Sequence, residues 1–389
     1  MKLSHDRILT TFAGSLARPS ELLELMRAKE SSQPYDQEAY TDRVRSAVAD
    51  VARKQVGAGV DIVSDGEQGK PGFFAYVSER LTGFESREIP TSAGPWAGSR
   101  EALAFPEFYR SYAQGPARRV AAPFAMVCTG PITYKGQAAL QRDIDNFKAA
   151  LKGLPVREAF MPAISPTNIE GPRRNEYYPT QEAYLYAIAD AMRAEYRSIV
   201  DAGFLLQIDD PRLVSYYGSN PGVSIKQCIE WAELRVAVLN YALSDITPDK
   251  VRFHTCYGIN IGPRIHEVEL KDVVHLILQI NAGAYSFEAA NPRHEHEWHV
   301  WERVKLPEGK AIIPGVISHT TNIVEHPELV AERIVRLAKL VGRERVIAGS
   351  DCGFSSQATT EPEIHPTVVW AKFQAMAEGA RLATRQLWN

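Results

Sequence analysis

Short apolar, β-rich runs alternate with longer segments of helical spacing along most of this 389-residue chain. The predicted strands lie at 8–13, 60–65, 120–128, 204–209, 251–256, 284–288, 311–317 and 346–350. The predicted helices include 38–56, 181–201, 224–243, 271–282, 327–341 and 365–386. Because a crossover helix allows neighbouring strands to run in the same direction, this alternation predicts an α/β fold with a parallel sheet.

Eight predicted strands favour a single (β/α)₈ TIM barrel, one catalytic domain over 1–389 with long loop insertions. The alternative is an open doubly wound sheet, but no G-x-G-x-x-G motif follows the first strand. Two segments rich in Pro, Gly and Ser, 89–108 and 162–180, interrupt the alternation. Such segments are commonly lids or binding loops. The first fits a surface insertion equally well, whereas the second carries Arg173 and Arg174 and is interpreted as substrate-facing.

The overall charge and the cysteine content exclude several classes of protein. A net charge of −3 gives no basic footprint for nucleic acid or an anionic membrane. The N-terminal sequence lacks the pattern of a secretory signal, and no apolar run approaches the length of a membrane span. Four cysteines are too few for a disulfide scaffold. We therefore expect a soluble, cytoplasmic protein that acts on small molecules. The sequence does not decide whether the protein forms a homo-oligomer.

Titratable side chains follow six of the eight predicted strands, where a barrel of this kind carries its chemistry. They are Glu67, Asp209, His254, Cys256, Glu288, His319, Asp351 and Cys352. His254 and Cys256 lie two residues apart on one predicted strand, so their side chains point to the same face. With Glu288 and Cys352 from later strands, they could complete a tetrahedral N/O/S₂ site of the kind that zinc prefers.

Each part of this pattern also has a structural explanation. A strand cysteine is often only a small buried apolar residue, and H-x-C alone is a weak motif. The second strand-end cysteine, Cys352, strengthens the case for a metal, whereas Cys128 and Cys228 have no such context and are interpreted as structural. A second histidine cluster is not an H-E-x-x-H motif and fits better either a solvated loop or residues that support the site from behind its ligands. It consists of His294, His296 and His299.

Several motifs together resemble the catalytic C-terminal barrel of cobalamin-independent methionine synthase and the wider family of zinc-dependent thiol alkyltransferases. The matching segments are "TTFAGSLARP", "SDGEQGKPGFFAYV", "LLQIDDP", "FHTCYG", "YSFEAANP" and "GSDCGF". The resemblance covers nearly the whole chain. The combination of H-x-C, a strand-end Glu and D-C-G is specific, although each motif alone is not.

The resemblance implies a zinc cofactor and a role for each matched residue. The implied zinc ligands are His254, Cys256, Glu288 and Cys352. The residues implied to bind the amino and carboxylate groups of the thiol acceptor are Glu67, Asp209, Gly14 and Ser15. His319 loosely matches the acid that protonates the leaving group. Because zinc binds thiolate rather than thiol, the expected reaction is alkyl transfer, in the first instance methyl transfer, to a thiol.

Two departures from the family pattern bear on the substrates. The separation of Cys256 and Glu288 (288 − 256 = 32 positions) is longer than in the synthases, with "INIGPRIHEVEL" as the apparent insertion. In addition, Tyr134 and Lys135 occupy the segment where the synthases have the Trp that stacks on folate. The second departure argues against methyl-folate as the alkyl donor.

Three alternatives stay open from the sequence. The chain also resembles short single-barrel members such as epoxyalkane:coenzyme M transferase, in which a zinc-bound thiolate opens an epoxide. Arg173 and Arg174 could then bind a sulfonate tail. A zinc-water hydrolase would use Asp209 as general base, although two thiolate ligands reduce the acidity of the metal. The last alternative is a non-catalytic thiol sensor.

Overall fold

The computed structural model describes residues 1–87, 96–114, 125–258 and 261–389. Its strands, in chain order, are β1 (Leu9–Thr10), β2 (Ile62–Ser64), β3 (Phe84–Arg87), β4 (Ala125–Cys128), β5 (Glu158–Ile164), β6 (Arg173–Asn175), β7 (Leu205–Asp209), β8 (Val251–His254), β9 (Ala284–Phe287), β10 (Ala311–Ile317) and β11 (Ile347–Ser350). Its α-helices are α1 (Ser20–Glu30), α2 (Gln37–Gly57), α3 (Val77–Arg80), α4 (Arg100–Ala104), α5 (Pro106–Gln114), α6 (Gln137–Leu151), α7 (Pro166–Glu170), α8 (Gln181–Asp201), α9 (Arg212–Ser219), α10 (Ile225–Ala242), α11 (Leu270–Ile277), α12 (Pro327–Val341) and α13 (Pro366–Trp388). Short 3₁₀ helices cover Pro248–Lys250, Glu295–Glu302 and Arg343–Arg345.

Eight parallel strands form the barrel, in the order β1-β11-β10-β9-β8-β7-β5-β2. The two end strands are joined through Thr10 and Asp61 rather than through a regular ladder. The Asp61 amide donates to the Thr10 carbonyl over 3.1 Å, and the Thr10 amide donates to Asp61 Oδ2 over 3.0 Å. The predicted TIM-barrel fold is therefore confirmed.

The prediction of one barrel strand, 120–128, is wrong. Within 120–128, Ala125–Cys128 forms β4 of a separate three-stranded sheet with β3 and β6, and 120–124 lie outside the described residues. The barrel strand missing from the prediction is β5, which is buried over all but its first residue. Short apolar runs fit either location, and Pro162 inside β5 resembled a loop residue because proline removes a ladder donor.

The two segments predicted to be irregular contain regular structure. Within 162–180 the chain completes β5 and then forms α7 and β6. The Ser165 side chain caps α7 by accepting a hydrogen bond from the Asn168 amide over 3.2 Å. Of 89–108, the first seven residues lie outside the described part, and α4 and the start of α5 occupy most of the remainder.

The long helices were predicted closely because their apolar faces recur at helical spacing. The predicted bounds of α8 and α12 are those of the structure, and α11 ends at Ile277 rather than at residue 282. A capping box between Ser224 and Gln227 begins α10. Among the described residues, no helix combines the length and the apolar character that a membrane crossing requires.

The register of the sheet determines which side chains meet at the mouth of the barrel. His254 at the end of β8 is paired with Asp209 of β7 on one side and with Ser286 of β9 on the other. Because the strands are parallel, their carboxyl ends open at the same edge. Residues that follow these strands can therefore form one site.

Candidate metal centre

His254, Cys256 and Cys352 form a buried cluster at this edge. Their ligand atoms all lie within 4.8 Å of one another. His254 ends β8, Cys256 follows it by two residues, and Cys352 comes two residues after β11. The two sulfur atoms are 3.0 Å apart. The structure thus brings together three of the four residues that the sequence analysis grouped as metal ligands.

The His254 imidazole is arranged to donate a lone pair. Its Nδ1 lies 3.0 Å from the Ser286 hydroxyl, while its Nε2 is buried and has no hydrogen-bond partner among the described residues. Burial, together with the charge of Arg252, lowers the pKa of His254 to about 3. The ring is therefore neutral at physiological pH. A hydrogen bond at Nδ1 that leaves Nε2 free is the arrangement typical of metal-ligating histidines.

The two cysteines need a cation if both are to be ionised. The adjacent Cys256 sulfur and burial raise the pKa of the Cys352 thiol well above its usual range. Two thiolates in contact in a buried site would repel each other strongly unless a positive charge lay between them. Imidazole and thiolate are the ligands that zinc selects. The residues present therefore fit a zinc ion.

Glu288 belongs to a second cluster, in which its carboxylate lies near His319 and Asp351, within 4.8 Å. Glu288 Oε1 accepts a hydrogen bond from the Tyr257 amide over 2.8 Å. Oε2 accepts from Arg264 Nη2 over 2.6 Å and from Asn291 Nδ2 over 2.8 Å. The charge of Glu288 contributes to the raised pKa of Cys352, while the carboxylate itself is held by protein donors.

His319 follows β10 and reaches the same cluster. Its Nε2 lies 3.1 Å from the Gly258 carbonyl, which implies that Nε2 carries the hydrogen, and its Nδ1 is buried without a partner in the described part of the chain. Burial lowers the pKa of His319 to about 4. The nearby Asp351 accepts hydrogen bonds from the Ala289 and Ala290 amides, each over 2.8 Å. At neutral pH the imidazole of His319 must take up a proton at Nδ1 before it can donate one.

A pair of acids lies at the same mouth. Glu67 and Asp209 are both buried, and neither is part of an ion pair among the residues described, although the charges of Lys70 and Arg252 act on Asp209 from a longer distance. Burial and the charge of Glu67 raise the pKa of Asp209 well above its usual range. Gln207 Nε2 donates a hydrogen bond to the Asp209 carboxylate over 2.7 Å. Two such carboxylates attract a cation.

Gly14 lies close to Glu67, and Ser15 lies close to the segment of Cys352. Gly14 has φ +128°, and a Cβ there would lie 2.8 Å from the Pro162 ring and 3.6 Å from a Glu67 carboxylate oxygen. Only glycine fits at this close approach. A Cβ at Gly353, next to Cys352, would lie 2.0 Å from the Ser15 hydroxyl, so Ser15 packs against the segment that carries the metal ligand.

Comparison with known proteins is consistent with this geometry. The family model described as the catalytic domain of cobalamin-independent synthase matches residues 169–372, slightly more than half of the chain. The chain belongs to this family. The matched range contains both clusters, with His254, Cys256, Glu288, His319 and Cys352.

Individual relatives of the cobalamin-independent synthase family match over most of their length. The methionine synthase of Sulfolobus acidocaldarius is 26% identical over 348 residues, which cover 88% of this chain and 85% of that protein. The methionine synthase of Thermococcus kodakarensis is 22% identical over 381 residues, with 97% and 94% covered. A B12-independent methionine synthase from a Shewanella species, solved in complex with selenomethionine, has the same fold, with a TM-score of 0.71 at 19% identity. That match covers 98% of this chain and 99% of the solved one.

The structure does not bring Arg173 and Arg174 to either cluster of this synthase domain. Both lie on β6 of the small sheet. The guanidinium of Arg173 is buried and donates to the carbonyls of Ile169 and Phe74. Arg174 has 70% of its side chain exposed and pairs with Glu176. The predicted substrate-facing loop is thus a strand whose arginines have structural or solvent contacts.

The sequence analysis missed the residues that orient the clusters. Ser286 lies two residues before Glu288, so strand periodicity places both on one face, but its pairing with His254 depends on sheet register. Asn291 donates to both Glu288 and Asp351. Arg264 lies in the segment noted as an apparent insertion, and no local pattern associated it with Glu288.

Proposed function

We propose that this protein is a zinc-dependent thiol S-methyltransferase whose acceptor is a thiol that carries an amino group, as homocysteine does. The observation that carries the proposal is the buried, neutral His254 imidazole, whose Nε2 has no hydrogen-bond partner among the described residues, beside two sulfur atoms in contact. No packing requirement calls for this combination. One imidazole nitrogen and two cysteine sulfurs are a set of donors that zinc prefers.

The residues that would hold the zinc are His254, Cys256 and Cys352; Glu288, the fourth ligand expected from the sequence, would join them only if it left its protein donors. A bound zinc ion would supply a deprotonated acceptor sulfur at neutral pH, because zinc binds thiolate rather than thiol. Ser286 fixes the orientation of His254, and burial keeps that ring neutral. The protein thus contributes a rigid and water-poor environment for the acceptor sulfur.

Glu67 and Asp209 would bind the ammonium group of the acceptor. Both are buried and form no ion pair among the described residues, and the charges of Lys70 and Arg252 do not cancel the upward shift in the pKa of Asp209, so an ammonium between the two acids would relieve their repulsion. Gly14 and Ser15 would receive the acceptor's carboxylate in the turn beside Glu67. Fixing both groups orients the sulfur for in-line displacement at the methyl carbon.

His319 would transfer the proton that the leaving group requires. Its Nδ1 is a buried acceptor, and the thiol proton of the acceptor is released in the same site. His319 could take up that proton and then donate it to the departing atom of the methyl donor. Because its pKa is lowered to about 4, the protonated ring would be a strong acid, and the uptake of the proton would be the demanding step.

The competing functions have less support. A zinc-water hydrolase would need a metal that strongly acidifies bound water, and the two cysteine thiolates at this site would reduce that acidity. Opening of an epoxide by a sulfonated thiol would need a cationic anchor, and Arg173 and Arg174 are engaged away from both clusters.

A direct test uses a simple electrophile, so that the natural donor need not be known. Zinc-loaded protein, homocysteine and methyl iodide are mixed at pH 7, and S-methylated homocysteine is measured by mass spectrometry. The proposal requires an acceleration that chelation removes and that Cys352→Ser abolishes. Cys128→Ser, a buried cysteine of the small sheet, serves as the matched control. No acceleration for homocysteine or other thiols would refute the proposal.

A further inference from the structure

Arg264 is a buried arginine in the segment between Cys256 and α11. It has φ +57°, an uncommon conformation for a residue other than glycine, and its side chain is 6% exposed. Its Nη2 donates to Glu288 Oε2 over 2.6 Å, and its Nε donates to Glu267 Oε1 over 2.7 Å. Its Nη1 is buried and has no partner in the described part of the chain. One guanidinium therefore joins two carboxylates.

A chain of buried charges holds this guanidinium in place. Glu267 also contacts His294 Nε2 over 2.8 Å, and His294 Nδ1 contacts Glu297 over 2.9 Å. Burial acts against the charge on His294, but its two carboxylate partners raise its pKa to about 9. The ring of Tyr257 stacks on His294 with centroids 4.2 Å apart. Glu267, itself held by His294, thus fixes the Nε of Arg264, while Nη2 binds Glu288.

This arrangement determines the position of the Glu288 carboxylate. Both of its oxygens accept hydrogen bonds, and the ion pair with Arg264 is buried on both sides, with side-chain exposures of 6% and 0%. The ligand atoms of His254, Cys256 and Cys352 form a group of their own, and Glu288 groups with His319 and Asp351. A carboxylate freed from the arginine would be a hard anionic ligand next to the metal position.

We infer that Arg264 is a positioning residue that retains the Glu288 carboxylate in an ion pair and so keeps the side of the two sulfurs accessible to the acceptor's thiol. The inference rests on the proposed function and adds a residue to it. Arginine suits the task because its planar fork can bridge two carboxylates, which the single ammonium of lysine does less well. The segment that carries Arg264 is the one by which this chain departs from the synthase spacing.

The test measures metal and thiol binding rather than turnover. Cobalt(II) is loaded in place of zinc, and its visible and near-ultraviolet absorption is titrated with homocysteine. The variants are Arg264→Leu, Glu288→Gln and the double variant. Arg293→Leu is the matched control, because Arg293 donates to the Ile265 carbonyl of the same segment without reaching Glu288.

The natural protein should show a saturable spectral change on addition of homocysteine. In Arg264→Leu the freed carboxylate competes with the thiol, so the apparent Kd should rise at least about tenfold, as expected when one partner of a buried ion pair is removed. Arg293→Leu should behave like the natural protein. The double variant should bind homocysteine as Glu288→Gln does, because the competing carboxylate is gone.

Two results would overturn the inference while leaving the proposed function intact. One is an unchanged Kd and spectrum in Arg264→Leu. The other is a double variant as weak as Arg264→Leu alone, which would mean that the arginine only supports the segment. If Arg264→Leu does not fold, Arg264→Gln removes the charge with less loss of volume and must show the same increase in Kd. A natural protein without any response to homocysteine would instead refute the proposed function, and the inference with it.

Discussion

The sulfur atoms of Cys256 and Cys352 lie 3.0 Å apart although 96 positions separate the two residues in the chain. β9 and β10 lie between the strands that carry them, so only closure of the barrel brings the sulfurs together. Such proximity of two buried thiols has little value for packing. As ligands of one metal ion, by contrast, a histidine and a cysteine from the end of β8 and a cysteine that follows β11 form a typical zinc set.

We expect the zinc content to depend on these residues individually. Purified protein should hold one zinc per chain, and Cys352→Ser should lose most of it after dialysis, as measured by elemental analysis. Glu288→Gln should weaken zinc binding less than either cysteine change, because Glu288 is held by three protein donors. Cys228→Ser, in the buried face of α10, should retain zinc. Full zinc in Cys352→Ser would contradict the assignment.

Methyl-tetrahydrofolate should bind poorly. Tyr134, which occupies the segment of the family's stacking Trp, donates its hydroxyl to Glu195 over 2.9 Å and is thereby tied to a buried ion-pair network. Lys135 is exposed. Neither provides a free aromatic platform for a pterin. Calorimetry should show no saturable binding in the micromolar range, and tight binding would restore folate as the donor.

The acceptor's amino group should be recognised by Glu67. Glu67→Gln should raise the KM for homocysteine at least about tenfold, because it removes charge from a desolvated ion pair. It should have little effect on thiols without an amine. Arg174→Ala is the control, since this exposed residue pairs with Glu176 on the small sheet. Steady-state kinetics measure the KM of both variants for thiols that carry an amine and for thiols that do not. A larger rise in KM in Arg174→Ala than in Glu67→Gln would favour a sulfonated acceptor.

Stability should fall at alkaline pH because of His294. Its folded-state pKa of about 9 lies above the unfolded value of 6.5, so its contribution is complete below pH 6.5 and is lost as the pH rises through 9. The shift corresponds to roughly 3 kcal/mol. Urea unfolding at pH 6, 8 and 9.5 should show this loss in the natural protein and much less of it in His294→Gln. Parallel pH profiles for the two proteins would contradict the assignment.

Much of the fold could be predicted because apolar periodicity reflects burial directly. The bounds of α8 and α12 followed from helical spacing alone. The exchange of β5 for the run at 120–128 shows the limit of this reasoning. Both are short apolar segments, and whether such a segment enters the barrel or a side sheet depends on distant partners.

The proximity of the candidate metal ligands could be predicted because parallel strands present their carboxyl ends at one edge. That rule requires no register and found His254, Cys256 and Cys352. The contacts of Ser286 and Arg264 could not be predicted in this way. The first depends on the alignment of β8 with β9, and the second depends on the path of a loop stabilised by buried ion pairs.

The most direct test of the account is X-ray absorption at the zinc edge of the zinc-loaded protein, with and without saturating homocysteine. The account predicts two sulfur neighbours, from Cys256 and Cys352, in the protein alone. It predicts a third sulfur when homocysteine is present. A sulfur count that homocysteine leaves unchanged would contradict the claim that this site activates a thiol.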